Sequence, residues 1–215
     1  MAGKSAARVL DLGCGAGHVS FHVASLVQEV VAYDLSQQML DVVSRAALER
    51  ELPNIRTVRG AAERLPFADG EFDYVLSRYS AHHWSDLGQA LREVRRVLKP
   101  GGVAAFIDVM SPGSPLFDTY LQTVEVLRDT SHVRDYAAGE WLEQVSKAGL
   151  HTRSTQRQRL RLEFGSWIAR MRTPDTLSHA ILALQQSMGA EVREYFEIDA
   201  DGSFSTDVLV LWCEK

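Results

Sequence analysis

Cysteine is scarce: Cys14 and Cys213 are the only two in 215 residues, and almost the whole chain separates them. That count excludes a disulfide framework and suits a reducing, cytoplasmic setting. No run of about 18 apolar residues occurs, and no apolar segment of signal-peptide type, so neither a membrane span nor a secretory leader is expected. Positive charge is not in excess. The 23 Lys and Arg against 28 Asp and Glu leave a net charge of -5. Nonspecific nucleic-acid binding draws on a basic surface that releases counterions from phosphate, and no nucleic-acid partner is expected here. Low-complexity tracts, repeats and linkers are missing as well, so residues 1–215 read as a single domain.

What the chain does have is alternation. Short β-branched runs and amphipathic helical stretches take turns through the first half, which is the pattern of βαβ units and a parallel sheet. Strands are expected over 8–12, 29–33, 55–59, 72–78 and 103–109. Helices are expected over 18–27, after Ser36 as N-cap, and over 87–98 before Pro100-Gly101-Gly102. The run 103–109 is apolar almost throughout, as a strand buried on both faces should be. The second half is less regular. Helices are expected over 116–128, 140–148, 166–172 and 174–188, and a strand over 151–164. A terminal hairpin is expected from segments 195–198 and 204–212 flanking Asp201-Gly202. The parts read as a cofactor-binding half (1–110), a helical substrate or lid region with one strand (111–192) and the hairpin (193–215).

The sharpest local signal is Asp11-Leu12-Gly13-Cys14-Gly15-Ala16-Gly17, between the first strand and the first helix. Glycines there let the backbone turn tightly and approach a ligand, and the helix that follows offers free N–H groups. A dinucleotide enzyme spaces its glycines G-x-G-x-x-G, whereas this turn is G-x-G-x-G followed by His18. Asp34 ends the second strand, 19 residues after Gly15, where a carboxylate can hold both hydroxyls of a ribose. Turn and carboxylate together point to an adenosine-containing ligand.

These residues resemble the class I S-adenosylmethionine-dependent methyltransferases, and are similar to the ubiquinone/menaquinone C-methyltransferase-like family. The likeness also runs through Gly60-Ala61-Ala62-Glu63-Arg64-Leu65-Pro66-Phe67, Phe72-Asp73-Tyr74-Val75 and Leu98-Lys99-Pro100-Gly101-Gly102. The resemblance implies a Rossmann-like, doubly wound α/β sheet of seven strands, mostly parallel with an antiparallel last strand, and helices on both faces. It implies S-adenosyl-L-methionine as cofactor. Asp11, Gly13 and Gly15 would face its methionine part, Asp34 its ribose, and Leu35 and Met39 its adenine. Ala62 and Glu63 would lie at the adenine edge, and Arg78 near the methionine amine or the substrate. Many relatives carry Asp where this chain has Ala61, so adenine recognition is expected to lack one hydrogen bond, about 1 kcal/mol. Relatives also usually place a helical segment before the first strand, so a more open site is expected.

Methyl transfer depends mainly on positioning, and few catalytic groups are needed. The candidates for a base are His82 and His83, in the segment after the fourth strand. An Asn/Asp-Pro-Pro-aromatic run is missing there, which disfavours methylation of DNA bases. Residues 112–120 with Tyr136, Trp141 and Trp167 could form an apolar lid, or simply core. His18 and His22 share a helix face without a third ligand and read as ordinary surface; no metal site is expected. Arg157, Arg159 and Arg161 alternate along a strand and read as a solvated edge. The expected activity is C- or O-methylation of a small organic acceptor. The rivals are a cofactor-binding protein without catalysis and an RNA- or protein-directed methyltransferase.

Overall fold

The computed structural model describes residues 5–215. Five strands rich in Val, Ile and Leu run parallel: β1 (Ser5–Leu12), β2 (Val27–Asp34), β3 (Ile55–Arg59), β4 (Phe72–Arg78) and β5 (Leu98–Met110). With β6 (His151–Leu162) and β7 (Phe204–Glu214) they form, among the described residues, one seven-stranded sheet in the order β3-β2-β1-β4-β5-β7-β6. The last strand is antiparallel to both its neighbours and is wedged between β5 and β6. The order reverses at β1, which lies between β2 and β4. At such a switch point the loops leaving adjacent strands diverge, and a crevice opens over their carboxyl ends.

Helices cover both faces because successive residues on a strand point to opposite sides. Val9 and Val30 pack toward α1 (His18–Val23), while Leu40 and Val43 of α2 (Gln37–Glu49) pack against Ala32. On the opposite face Leu10, Val31 and Phe106 meet α3 (Leu87–Val97) and α5 (Ala138–Lys147). Ser36 and Asp86 cap α2 and α3 by accepting from Met39 N and Gln89 N. Phe106 is 1 % exposed, with ring centroids 6.5 Å from Trp84 and 5.3 Å from Trp141. Trp141 is therefore core and not lid.

A second apolar cluster caps the carboxyl end of the sheet. Val109, Leu162 and Phe204 there meet α4 (Pro115–Arg128), α6 (Phe164–Met171), α7 (Asp175–Ser187) and α8 (Ala190–Tyr195). Tyr120 and Trp167 belong to this cluster.

The terminal hairpin does not form. Tyr195 closes α8, and Asp201-Gly202 connects that helix to β7, whose partners are β5 and β6. Packing decides this: Phe196 is fully buried against Tyr120, centroids 4.6 Å apart, and the segment takes the helical geometry that buries it. The arginine stripe on β6 is also less free than its spacing suggests. Arg157 and Arg159 reach the buried Asp207 at 2.9 and 3.2 Å, and Arg161 pairs with Asp199. Charge along this edge still discourages pairing with another sheet. No helix of the described residues is long and apolar enough to cross a membrane.

Phe106→Ala removes the ring on which Trp84 and Trp141 close the main core. It should cost about 3–5 kcal/mol in urea unfolding; a loss below about 1 kcal/mol would show that this core repacks freely.

Candidate active site

The glycine turn is shaped by its backbone. Gly13, Gly15 and Gly17 have φ of 75°, 48° and 84°, in the left-handed region that side chains avoid. Gly13 N and Cys14 N both donate to Tyr33 O, at 2.8 and 3.0 Å, folding the turn over the end of β2. A Cβ at Gly13 would overlap Ser80 Oγ, so the turn sits directly against the segment after β4. Gly15 faces open space, where a ligand can approach the backbone. Its N–H donates to Asp34 Oδ2 at 2.8 Å, and Ser36 N donates to Asp34 Oδ1 at 2.8 Å. Asp11 lies underneath, buried, and accepts from Ser20 N at 2.9 Å and Ser20 Oγ at 2.6 Å in the first turn of α1. Burial raises its carboxyl to about 6, partly offset by those two bonds. Burial likewise pushes the Cys14 thiol up, which leaves it a packing residue rather than a nucleophile.

Above the turn is a cavity of about 590 Å³, walled by seven of the nine residues expected to meet a cofactor: Gly13, Gly15, Asp34, Leu35, Met39, Ala62 and Glu63. Leu35 is apolar yet 65 % exposed, at the rim. Glu63 Oε1 accepts from Ser85 N at 2.8 Å and Asp86 N at 3.2 Å, pinning one wall to the start of α3. Asp11 and Arg78 are not on the wall. Asp11 acts from below, and Arg78 is exposed with its guanidinium 4.7 Å from the centroid of Tyr79. Ser80, Trp84 and Met171 also line the cavity. The sequence held no signal for Met171, which arrives from α6 by tertiary packing alone.

The two candidate bases are placed differently. His83 lies on the cavity wall, and its Nδ1 donates to the carbonyl oxygen of Ser131 at 3.1 Å. Its lone pair is therefore on Nε2, 3.9 Å from Asp129 Oδ2. Burial, then the neighbouring His82, lowers its pKa. His82 is buried, with Nδ1 2.6 Å from Asp108 Oδ1. Burial alone would lower it, but the charge and hydrogen bond of Asp108 raise it to about 9. A smaller cavity of about 140 Å³ adjoins the first, and the two share Tyr79, His83 and Met171. Val109, Leu162, Trp167, Arg128 and Arg170 complete much of its wall. Tyr79 holds φ of 52°, a strained value for a bulky residue and a conformation that concentrates at functional sites. A groove of about 650 Å³ between Arg161 and α8 is larger than either cavity. It is a charged, open furrow away from the switch point, lined by Arg161, Arg193, Glu194, Glu197 and Asp199.

Residues 10–106 match the model of the family described as "Methyltransferase domain". The chain is 56 % identical over 203 residues to Escherichia coli K12 "Uncharacterized protein YafE", covering 94 % of this chain and 98 % of that one. The crystal structure of the YcgJ protein from Bacillus subtilis superposes with a TM-score of 0.94 at 35 % identity, covering 99 % of this chain and 93 % of the other. By sequence that protein, whose name is "Uncharacterized methyltransferase YcgJ", is 38 % identical over 88 % of this chain and 75 % of its own length. A demethylmenaquinone methyltransferase of Listeria monocytogenes is 34 % identical over 146 residues, which are 65 % of this chain and 62 % of that one.

Gly13→Ala would strain the turn at positive φ and press a methyl group into Ser80. Thermal and urea unfolding should show a loss of at least about 1–3 kcal/mol; unchanged stability would mean that the turn is not held against Ser80.

Proposed function

This chain belongs to the class I S-adenosylmethionine-dependent methyltransferases, and we propose that its acceptor is a small, largely apolar organic molecule seated in the 140 Å³ cavity beside the cofactor. The observation that carries this is the shared wall of Tyr79, His83 and Met171 between a cavity of nucleoside size and a smaller one, where Val109, Leu160, Leu162 and Trp167 stand beside Glu125, Arg128 and Arg170. The open space before Gly15 and the apolar rim at Leu35 and Met39 fit S-adenosylmethionine. When bound, that cofactor supplies a methyl group on a sulfonium sulfur. Gly13 and Gly15 would hold its methionine part, Asp34 its ribose, and Leu35, Met39, Ala62 and Glu63 its adenine.

Val109, Leu162 and Trp167 would exclude water from the acceptor, and Arg170 would hold an acidic substituent, Arg128 being paired with Glu125. His83 is the better-placed base, because it is the histidine that borders both cavities, and a free Nε2 could take a proton from an acceptor oxygen or carbon. Nδ1 of His82 is engaged by Asp108, and that ring borders only the smaller cavity. The relative named demethylmenaquinone methyltransferase acts, by its name, on demethylmenaquinone, which supports a small organic acceptor. The pairing of Arg157, Arg159 and Arg161 with Asp207 and Asp199 supports a small acceptor over RNA.

Asp34→Ala should weaken calorimetric binding of S-adenosylhomocysteine by about 1.5–3 kcal/mol, since it removes charge-assisted hydrogen bonds; equal affinity would sink the ribose assignment. With methyl-labelled cofactor and a panel of phenols, quinols, transfer RNA and protein, label should enter the small organic fraction. His83→Gln should slow that transfer about 10²-fold at unchanged cofactor affinity. Label only in RNA or protein would refute the acceptor class, and full turnover by the variant would return His83 to a packing role.

A further inference from the structure

Behind the acceptor cavity, three side chains from separate segments converge with no ligand role in methyl transfer. His82 comes from the turn after β4, Asp108 from β5 and Asp135 from the segment between α4 and α5. All three are buried, and one donor atom of each lies within 4.8 Å of the others. Asp135 is 1 % exposed, and neither of its carboxylate oxygens has a hydrogen-bond partner among the described residues. An ionised carboxylate stripped of water and given no donor costs several kcal/mol, so something positive must meet it.

The nearby cations are otherwise committed. Arg128 pairs with the buried Glu125 at 3.3 Å, and Arg134 pairs with Asp118 and Glu140. Asp108 and Asp135 thus face one another with only the imidazole of His82 between them and neutrality. We propose that His82, Asp108 and Asp135 bind a divalent first-row transition cation, which ties β5, the turn after β4 and the segment after α4 into one unit. Two carboxylates balance the charge of such an ion, and one imidazole with two carboxylates suits Mn²⁺ or Zn²⁺. Donors held about 2.0–2.2 Å from one ion stand roughly 3–3.5 Å apart, so atoms within 4.8 Å of one another would have to draw together around it.

The ligands are held for this from outside. Ala81 N and Val109 N donate to Asp108 at 2.7 and 2.9 Å. His82 O accepts from Val133 N and Arg134 N, which fastens the segment carrying Asp135 to the turn. Gln122 grips Asp135 through both backbone groups, at 2.7 and 3.0 Å. Because Gln122 Oε1 is an acceptor, His132 Nε2 donates to it at 2.8 Å, and the buried Nδ1 of His132 keeps a lone pair with no partner. That ring is 5.8 Å from His82, centroid to centroid. Supporting fixed ligands with an outer shell of this kind is usual at metal centres. The competing occupant is a proton. Burial and the facing Glu125 push the Asp135 carboxyl well above its ordinary range, which favours the proton as that competitor.

Metal uptake by this cluster is independent of the acceptor and can be read without any activity. The full chain, stripped with a chelator and dialysed against Mn²⁺ or Zn²⁺, is analysed for metal content and thermal midpoint. One ion per chain and a raised midpoint are expected. Asp135→Asn, which keeps shape and removes the charge, should lower the affinity by more than the roughly 10–100-fold that loss of an outer partner costs. Its circular dichroism should match the parent. Failure of the parent to take up a stoichiometric ion at millimolar metal would overturn the proposal in favour of the proton. Uptake that Asp135→Asn leaves unchanged would overturn it too, by placing the ion elsewhere.

Discussion

One carboxylate joins the two loops on which the whole site rests. Asp34 accepts from Gly15 N with one oxygen and from Ser36 N with the other, at 2.8 Å each. The first bond fixes the glycine turn leaving β1, and the second fixes the entry to α2. Both donors are backbone groups, so the geometry depends on strand register rather than on which side chains stand at those positions. The register of β1 on β2 opposes Leu12 to Tyr33 and so brings the two loops side by side. Were β2 to slip by one residue, Asp34 would turn to the other face of the sheet and the floor of the cavity would be lost.

The cofactor half was legible because its signals are local. Periodicity gives β1 through β5, and the glycines and Asp34 need only strand ends to be placed. Asp11 also stood out, although its role is to hold Ser20 beneath the turn rather than to wall the cavity. What escaped was set by tertiary packing. The pattern around Asp201-Gly202 is that of a hairpin, but burial of Phe196 against Tyr120 draws its first arm into the helical cluster. Arg78 ends its strand where the resemblance would use it, yet it stacks on Tyr79 outside the cavity. Asp108 could have been noticed as the one charge in the apolar run 103–109. Asp135 carries no sequence signal, since a carboxylate in a polar segment ordinarily faces water.

Several costly features gather at the carboxyl end of the sheet. Tyr79 is strained there, the imidazole of His82 is buried against Asp108, and Glu125 and Asp135 are buried behind it. A fold carries such costs where the surrounding packing over-determines them. Here the helical cluster of α4, α6, α7 and α8 supplies that packing, and its α4 and α6 also wall the smaller cavity. Stability at this end and the shape of the smaller cavity are thus one property of the chain. Variation in the second half can re-shape the pocket while the floor under the cofactor stays fixed.

The central claim is that the space over the glycine turn, and not the larger furrow beside α8, receives the cofactor. Backbone amide NMR during titration with S-adenosylhomocysteine tests it directly. The account predicts the largest shifts at Gly13, Gly15, Leu35 and Ala62, with little change at Arg161, Arg193 and Asp199. Shifts concentrated at the latter three, with the glycine turn unmoved, would contradict it.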